Sequence, residues 1–188
     1  MSQPAVTLEE SNQTGFKHVL TFLLDDGFYG VDICNVSEVL EYCEVTRVPR
    51  CPSFMAGVIN LRGHVVPVIN LRSEFELDSK APDVDTCIII FDFPDEQGTT
   101  HMLGCIVDSV SEVLEISCEQ LAQPPKIGNH INPEFIDTIA KIDDRFVILL
   151  NMHHILSQDQ LNFLSSASSD ETTINNDDTH AIPQQASA

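Results

Sequence analysis

Short runs of branched apolar residues, separated by turn-forming residues, occupy the middle of this 188-residue chain. Runs of this length at close spacing are typical of antiparallel strands and leave little room for long helices. The predicted strands are Val19–Leu24, Phe28–Ile33, Gly57–Leu61, Val65–Asn70, Thr86–Phe93, His101–Val107, Thr138–Ile142 and Arg145–Leu150. The pattern therefore predicts a mainly β protein built as two small antiparallel barrels.

Two segments carry a spacing that favours short helices instead. In CNVSEVLE, Val36, Val39 and Leu40 stand at positions i, i+3 and i+4. This spacing predicts an amphipathic helix that places Glu38 on its wetter face. The second VSEVLE, at 110–115, receives the same prediction.

The segment from Gly57 to Arg72 reads GVINLRGHVVPVINLR, two apolar runs hinged at Arg62-Gly63. Glycine adopts positive φ without steric cost, so we predict a hairpin that lifts Arg62 into reach of a partner. Pro67 cannot donate a ladder hydrogen bond, which places the second strand at an edge or beside a bulge. The alternative is that Arg62 is an ordinary solvated turn residue.

An internal repeat organises the chain. The hexapeptide VSEVLE occurs at Val36–Glu41 and at Val110–Glu115, each time after a glycine and a short apolar stretch. Residues Pro52–Leu71 also align without a gap on Pro133–Met152. The fold is therefore predicted to be a duplicated unit.

The duplication separates fold from function, because features that only one copy carries are candidates for function. The first copy has Asn60, Arg62, Gly63 and His64 where the second has Lys141, Asp143, Asp144 and Arg145. A role in the fold alone would not need this asymmetry. The comparison therefore favours a functional Arg62.

The negative net charge of the chain argues against some classes of binding partner. The formal net charge is -20, and residues 16–156 hold 22 acids with all 9 basic residues. Such a surface repels phosphate backbones and anionic membranes, so nucleic acid and direct membrane insertion are not expected. No secretion signal is expected, since the first 15 residues lack a basic and an apolar region. No spanning segment is expected either, since no apolar run reaches the length needed to cross a bilayer.

The ends differ in composition from the middle. Residues 1–15 and 165–188 are polar with little to bury, so we predict both to be disordered. The folded part is assigned to 16–156. A C-terminal helix is predicted over 152–164, with its end at 157–164, to close the second unit.

Catalytic and cofactor motifs are not found in the sequence. GxSxG, HExxH, CxxC and glycine-rich phosphate loops are absent, so no catalytic, metal or cofactor residue is assigned. The six cysteines are interpreted as reduced and mostly buried thiols. A rival hypothesis is a small enzyme using Glu38 or Glu112 with a histidine, which predicts a deep polar cleft. Protein binding is the class that remains.

The hairpin frame, with HVLTFLLDDGFYGVDICNVSEVLEY before it and GCIVDSVSEVLEI after it, resembles the CheW chemotaxis coupling proteins over residues 16–156. The resemblance implies two intertwined five-stranded barrels of the Src-homology-3 type and no enzymatic activity. It also implies a cytoplasmic adaptor that links transmembrane chemoreceptors to the histidine kinase CheA in membrane-associated arrays. Without a kinase or receiver segment, the chain resembles a stand-alone coupler.

The resemblance also assigns residues. Those matching the family's receptor-binding groove are Val36, Glu38, Asn60 and Arg62, and those of the hairpin frame are Gly57, Gly63, Pro67 and Arg72. No motif fixes the kinase-contact residues, which stay unassigned. Asn70 replaces the family's usual aspartate, so any pairing of that position with Arg72 is expected to be weakened. An adaptor of a different sensory kinase pathway is an open alternative.

Overall fold

The computed structural model describes residues 15–94, 100–122 and 132–155. Its strands are β1 Phe16–Leu24, β2 Gly27–Asp32, β3 Val36–Glu41, β4 Met55–Leu61, β5 His64–Asn70, β6 Cys87–Pro94, β7 Thr100–Val107, β8 Ser109–Ser117, β9 Leu121–Ala122, β10 Ile136–Ile142 and β11 Arg145–Leu150. Two short helices follow the hairpins, α1 Leu71–Glu74 and α2 Met152–Ile155. All eight predicted strands are confirmed, with small shifts at their ends.

The strands form two sheets, and each sheet takes strands from both copies of the repeat. The orders are β8-β1-β2-β11-β10-β9 and β3-β6-β7-β5-β4. The repeat strands β3 and β8 thus cross over to pair with the other copy, at β6 and β1 respectively. One apolar cluster, which includes Phe22, Phe75 and Phe91, draws side chains from both sheets. The predicted mainly β fold of two intertwined units is confirmed.

The duplication holds residue by residue. The strands β4 and β10 begin at Met55 and Ile136, and the helices α1 and α2 begin at Leu71 and Met152, so both pairs are 81 residues apart. Bulges interrupt β4 and β10 at equivalent points. An asparagine side chain accepts a hydrogen bond from the first turn of each helix.

Two equivalent glycines allow parallel strands to pass closely. Gly30 pairs with Leu149 between β2 and β11, and Gly104 pairs with Val68 between β7 and β5. A Cβ at Gly30 would lie 2.4 Å from Val19 Cγ1, and one at Gly104 would have a methyl carbon 3.0 Å away. These are the glycines that precede the two VSEVLE segments, so that part of the repeat reflects packing.

The helix prediction for both VSEVLE segments is wrong, because they are the strands β3 and β8. Exposure alternates along β3: Val36, Glu38 and Leu40 are half-buried, whereas Val39 is 41% exposed. Six residues with apolar positions at 1, 4 and 5 fit a helix, but partners in a distant strand favour the period of two. Glu38 therefore faces inward instead of lying on the wetter face.

The hairpin turn at Arg62-Gly63 is confirmed, with φ of +53° and +89° at its two residues. The strand β5 is interior, between β4 and β7, so Pro67 does not mark an edge. Pro67 faces Val58 of β4, and pairing with β7 begins only at Val68. A bulge in β4 lies beside Pro67, so of the two predicted settings, an edge or a bulge, the structure shows the bulge.

Helix α2 confirms the start of the predicted C-terminal helix, while 156–164 and, apart from Gly15, the predicted disordered ends lie outside the described residues. The six cysteines are free, but the prediction that most are buried is wrong. Only Cys105 is buried, and burial raises its pKa. Cys34 and Cys118 are exposed because they lie in single 3-10 turns beside the repeat strands.

Candidate protein-binding site

The tip of the β4–β5 hairpin presents a charged pair. The Arg62 side chain is 77% exposed, and its Nη2 donates to Glu38 Oε2 at 2.8 Å. Glu38 is only 22% exposed. Because β3 and β4 are the two outer strands of their sheet, the pair joins its two edges. The structure therefore brings two of the four predicted receptor residues into direct contact.

Asn60, the third predicted residue, shapes the turn. Its Oδ1 accepts a hydrogen bond from the Gly63 backbone N–H at 2.8 Å. Both turn residues have positive φ, as in the type I′ turns that suit the twist of a hairpin. In the second hairpin, Asp143 has φ of +54° but Asp144 does not have a positive φ. Asn60 and Gly63 thus hold the loop that presents Arg62.

Val36, the fourth predicted residue, begins β3 opposite Phe91. It is half-buried against the shared apolar cluster, and a bulge separates it from Glu38. Val36 supports the strand that carries Glu38, and the structure does not place it against Arg62.

Gly57 holds the chain before β4 close to that strand. Its φ is +147°, and a Cβ there would lie 2.1 Å from the carbonyl oxygen of Thr46. The equivalent residue in the second copy is Thr138, whose Oγ1 donates to the Ala122 carbonyl at 2.9 Å. Gly57 therefore has a structural role, in keeping with its assignment to the frame.

Arg72 is the one buried charged residue in the described part of the chain. Its guanidinium donates from Nε and Nη2 to both carboxylate oxygens of Asp108, at 2.8 and 2.7 Å, and from Nη2 to Asp25 at 3.2 Å. Asn70 is not a partner of this guanidinium. Its Oδ1 accepts from the Arg72 backbone N–H at 2.9 Å and caps α1, so the expected weakening of a side-chain pairing does not apply.

Arg72 and Asp108 each stabilise the charged form of the other. The hydrogen bonds that Arg72 donates to Asp108 raise the pKa of Arg72, against the effect of its burial. Burial opposes ionisation of Asp108, but hydrogen bonds from Arg72 and from the backbone of Asp25 hold its pKa below the usual range. Sequence reasoning missed Asp108. The repeat could have indicated it, since Asp108 stands where the first copy has Cys34.

Exposed apolar side chains recur at equivalent positions of the two barrels. Val39 on β3 corresponds to Val113 on β8, and Val65 on β5 corresponds to Phe146 on β11. Phe146 is 63% exposed, the most exposed aromatic side chain in the described part of the chain. Both barrels thus present apolar positions to solvent.

Glu38 and Glu112 are the carboxylates of the rival enzyme hypothesis. Glu38 bonds to Arg62, and Glu112 is exposed while its backbone bonds to the Thr21 hydroxyl. Within the described ranges, neither carboxylate is hydrogen-bonded to a histidine. The geometry at these positions is that of a surface ion pair and a solvated strand residue.

Two interlocked barrels with a presented hairpin tip and exposed apolar positions define a binding scaffold. The CheW-like domain family matches residues 18–160. The chemotaxis protein CheW of Klebsiella aerogenes is 31% identical over 161 residues, covering 86% of this chain and 94% of that protein. That of Treponema pallidum is 28% identical over 152 residues, covering 79% and 86%.

A solved structure agrees with these sequence matches. The scaffolding protein TtCheW from Thermoanaerobacter tengcongensis is 34% identical and superposes with a TM-score of 0.68, covering 77% of this chain and 94% of that chain. The chain belongs to the CheW family, with its two barrels of the Src-homology-3 type, and is a chemotaxis coupling adaptor. In the described ranges, no helix is long and apolar enough to cross a membrane.

Proposed function

We propose that this protein couples the cytoplasmic tips of transmembrane chemoreceptors to the histidine kinase CheA without performing chemistry of its own. The observation that carries the proposal is the Arg62–Glu38 pair at 2.8 Å, on a hairpin tip whose duplicate carries Asp143 instead. A fold requirement would act on both copies, so the difference supports selection for a partner.

The receptor contact is assigned to the surface around this pair. Arg62 offers a planar donor group in solvent, and its partner Glu38 limits the directions that the side chain can take. Asn60 and Val36 hold the turn and the strand beneath them. Receptor recognition then depends on a charge in fixed geometry, which favours specificity more than raw affinity.

The kinase contact is assigned to exposed apolar positions of the barrels. Val65 and Phe146 occupy equivalent places next to the two hairpin turns, so one chain offers two similar surfaces. Exposed aromatic residues are enriched at the centres of protein interfaces. Receptor state would reach the kinase as a difference in affinity between conformations, with the adaptor in the cytoplasm at membrane-associated arrays.

The test is a pull-down of the full chain on receptor cytoplasmic fragments, together with CheA activity in the ternary mixture. Replacing Arg62→Ala should weaken receptor capture at least about fivefold while the melting temperature stays within about 2 °C. The matched control is Asp143→Ala, since Asp143 sits at the equivalent turn with nearly the same φ. This control should leave receptor capture unchanged.

Unchanged receptor capture by a normally folded Arg62→Ala protein would sink the receptor assignment. If a Phe146→Ser variant still stimulates CheA fully, the assignment of Phe146 to the kinase contact is wrong.

Co-purification from cells decides between swimming chemotaxis and another sensory kinase pathway, because it shows which kinase and receptors accompany the chain.

A further inference from the structure

A cavity of about 660 Å³ lies away from the hairpin tip, between the chain before β4 and the chain after α1. Its walls come from residues 42–56, from Asn70 and the start of α1, from 79–82 with Thr86, and from Ile106 and Asp108 at the end of β7. This volume falls in the range of small-molecule sites. The space is therefore large enough for a ligand.

The lining concentrates positive charge in an acidic protein. Of the basic residues that the structure describes, four line this cavity, namely Arg47, Arg50, Arg72 and Lys80. Among the described residues of the lining, the one acidic residue is Asp108, which is already bonded to Arg72. The local balance is thus opposite to the net charge of -20.

Two of these cations are not neutralised within the structure. Arg72 has Asp108 and Asp25, and Lys80 pairs with Asp83 at 2.9 Å. Arg47 and Arg50 make no hydrogen bond or ion pair with any residue of the described ranges. They are the groups able to receive an added anion.

The loop that carries these arginines is held in place. The backbones of Thr46 and Val58 exchange two hydrogen bonds of 2.9 Å. The lack of a Cβ at Gly57 permits this close approach. The backbone N–H groups of Tyr42 and Met55 donate further hydrogen bonds to the carbonyls of Thr86 and Pro52, respectively. The arginines therefore project from a braced loop, which lowers the entropic cost of binding.

We propose that this cavity binds a small anion of the phosphate or carboxylate class, carrying two or more negative charges. Arg47 and Arg50 act as its ligands, since guanidinium groups bind both anions through paired, charge-assisted hydrogen bonds. Hydroxyl groups of Ser53, Ser73 and Ser79 in the lining supply further donors. This site is separate from the proposed receptor contact and does not depend on it.

The experiment is a calorimetric titration of the full chain with inorganic pyrophosphate and with citrate, near 0.1 M salt. The test variant is Arg47→Gln with Arg50→Gln, and the control is Lys141→Gln with Arg145→Gln. Each double variant removes two positive charges, so both carry the same net charge and any bulk electrostatic effect is matched.

We expect saturable one-to-one binding of at least one probe by the unaltered chain. The Arg47/Arg50 variant should weaken it at least about tenfold, equivalent to ~1.4 kcal/mol, and the control by less than about twofold. Amide NMR shifts on binding should centre on the cavity residues, including Ser73 and Lys80. Absence of saturable binding of both probes, an equal loss in the two variants, or shifts centred elsewhere would overturn the proposal.

Discussion

Arg62 and Glu38 show how one residue pair can serve both the fold and a partner. An exposed ion pair of this kind contributes only ~0.2–1 kcal/mol to folding, because water screens it and the long side chains lose freedom. That small stability cannot explain why one tip carries Arg62 while the equivalent position of the other copy carries Asp143. The pair instead orients the Arg62 side chain, because the half-buried Glu38 beneath it holds the guanidinium in place.

A charge swap tests this interpretation at the residue scale. Arg62→Glu and Glu38→Arg should each weaken receptor binding, because each places like charges together at the tip. The double swap restores opposite charges, so its melting temperature should return to within about 2 °C of the starting protein. Receptor binding should stay weakened at least about tenfold if the partner contacts these side chains directly.

Full recovery of receptor capture in the double swap would contradict the direct contact. It would mean that the pair only positions the hairpin. Surface plasmon resonance with immobilised receptor fragments measures the difference, and thermal melting reports separately on the fold.

Among the elements, the strand-to-helix junctions show what the duplicated sequence preserves. Asn70 caps α1 and Asn151 caps α2, each accepting a hydrogen bond from the backbone N–H two residues on. The residues that follow have diverged: Arg72 enters an ionic network, while the equivalent His153 packs edge-on against Phe93. The caps are common to both copies because both helix starts need an acceptor.

Replacing Asn70 tests the cap. Asn70→Ala should destabilise the protein by about 1 kcal/mol, since the Arg72 backbone N–H loses its acceptor. Asn70→Asp keeps an acceptor and should change stability by less than about 0.5 kcal/mol. Urea unfolding measures both values. Equal destabilisation by the two substitutions would show that position 70 has a role other than capping.

At the scale of the whole molecule, Arg72 links segments from both copies of the repeat. Its carboxylate partners come from the β1–β2 turn, at Asp25, and from the β7–β8 link, at Asp108. These segments belong to different copies of the repeat, so one buried guanidinium joins both halves. Losing a partner would leave Arg72, only 8% exposed, with part of its charge uncompensated.

This network predicts acid-dependent stability. The folded-state pKa of Asp108 is lowered, so its contribution is present above the unfolded value of ~3.9 and is lost as pH falls through the folded value. Asp108→Asn should therefore cost about 2 kcal/mol at neutral pH, and the difference from the unaltered protein should shrink below pH ~4.

The control for this prediction is Asp26→Asn, an exposed neighbour in the same turn as Asp25. It should follow the unaltered protein across the pH range in thermal melts. A constant deficit of Asp108→Asn from pH 7 down to pH 3 would show that its effect is steric instead of electrostatic.

Short sequence patterns were enough to predict the strands and the hairpin turn of this protein. Branched apolar runs and Gly63 gave all eight predicted strands and the hairpin turn, because strand propensity and positive φ act over a few residues. The repeat predicted the duplicated architecture, and the difference between its copies directed attention to Arg62. Resemblance to a family supplied the intertwining and the class of partner.

The tertiary structure decided what local sequence leaves ambiguous. VSEVLE fits both the helical and the strand period, and only pairing with β6 and β1 made it a strand and turned Glu38 inward. Pairing across copies likewise joined Arg72 to Asp108, and a cavity between loops collected Arg47 and Arg50. Such outcomes depend on contacts between residues far apart in the chain, which short-range propensity and periodicity do not encode.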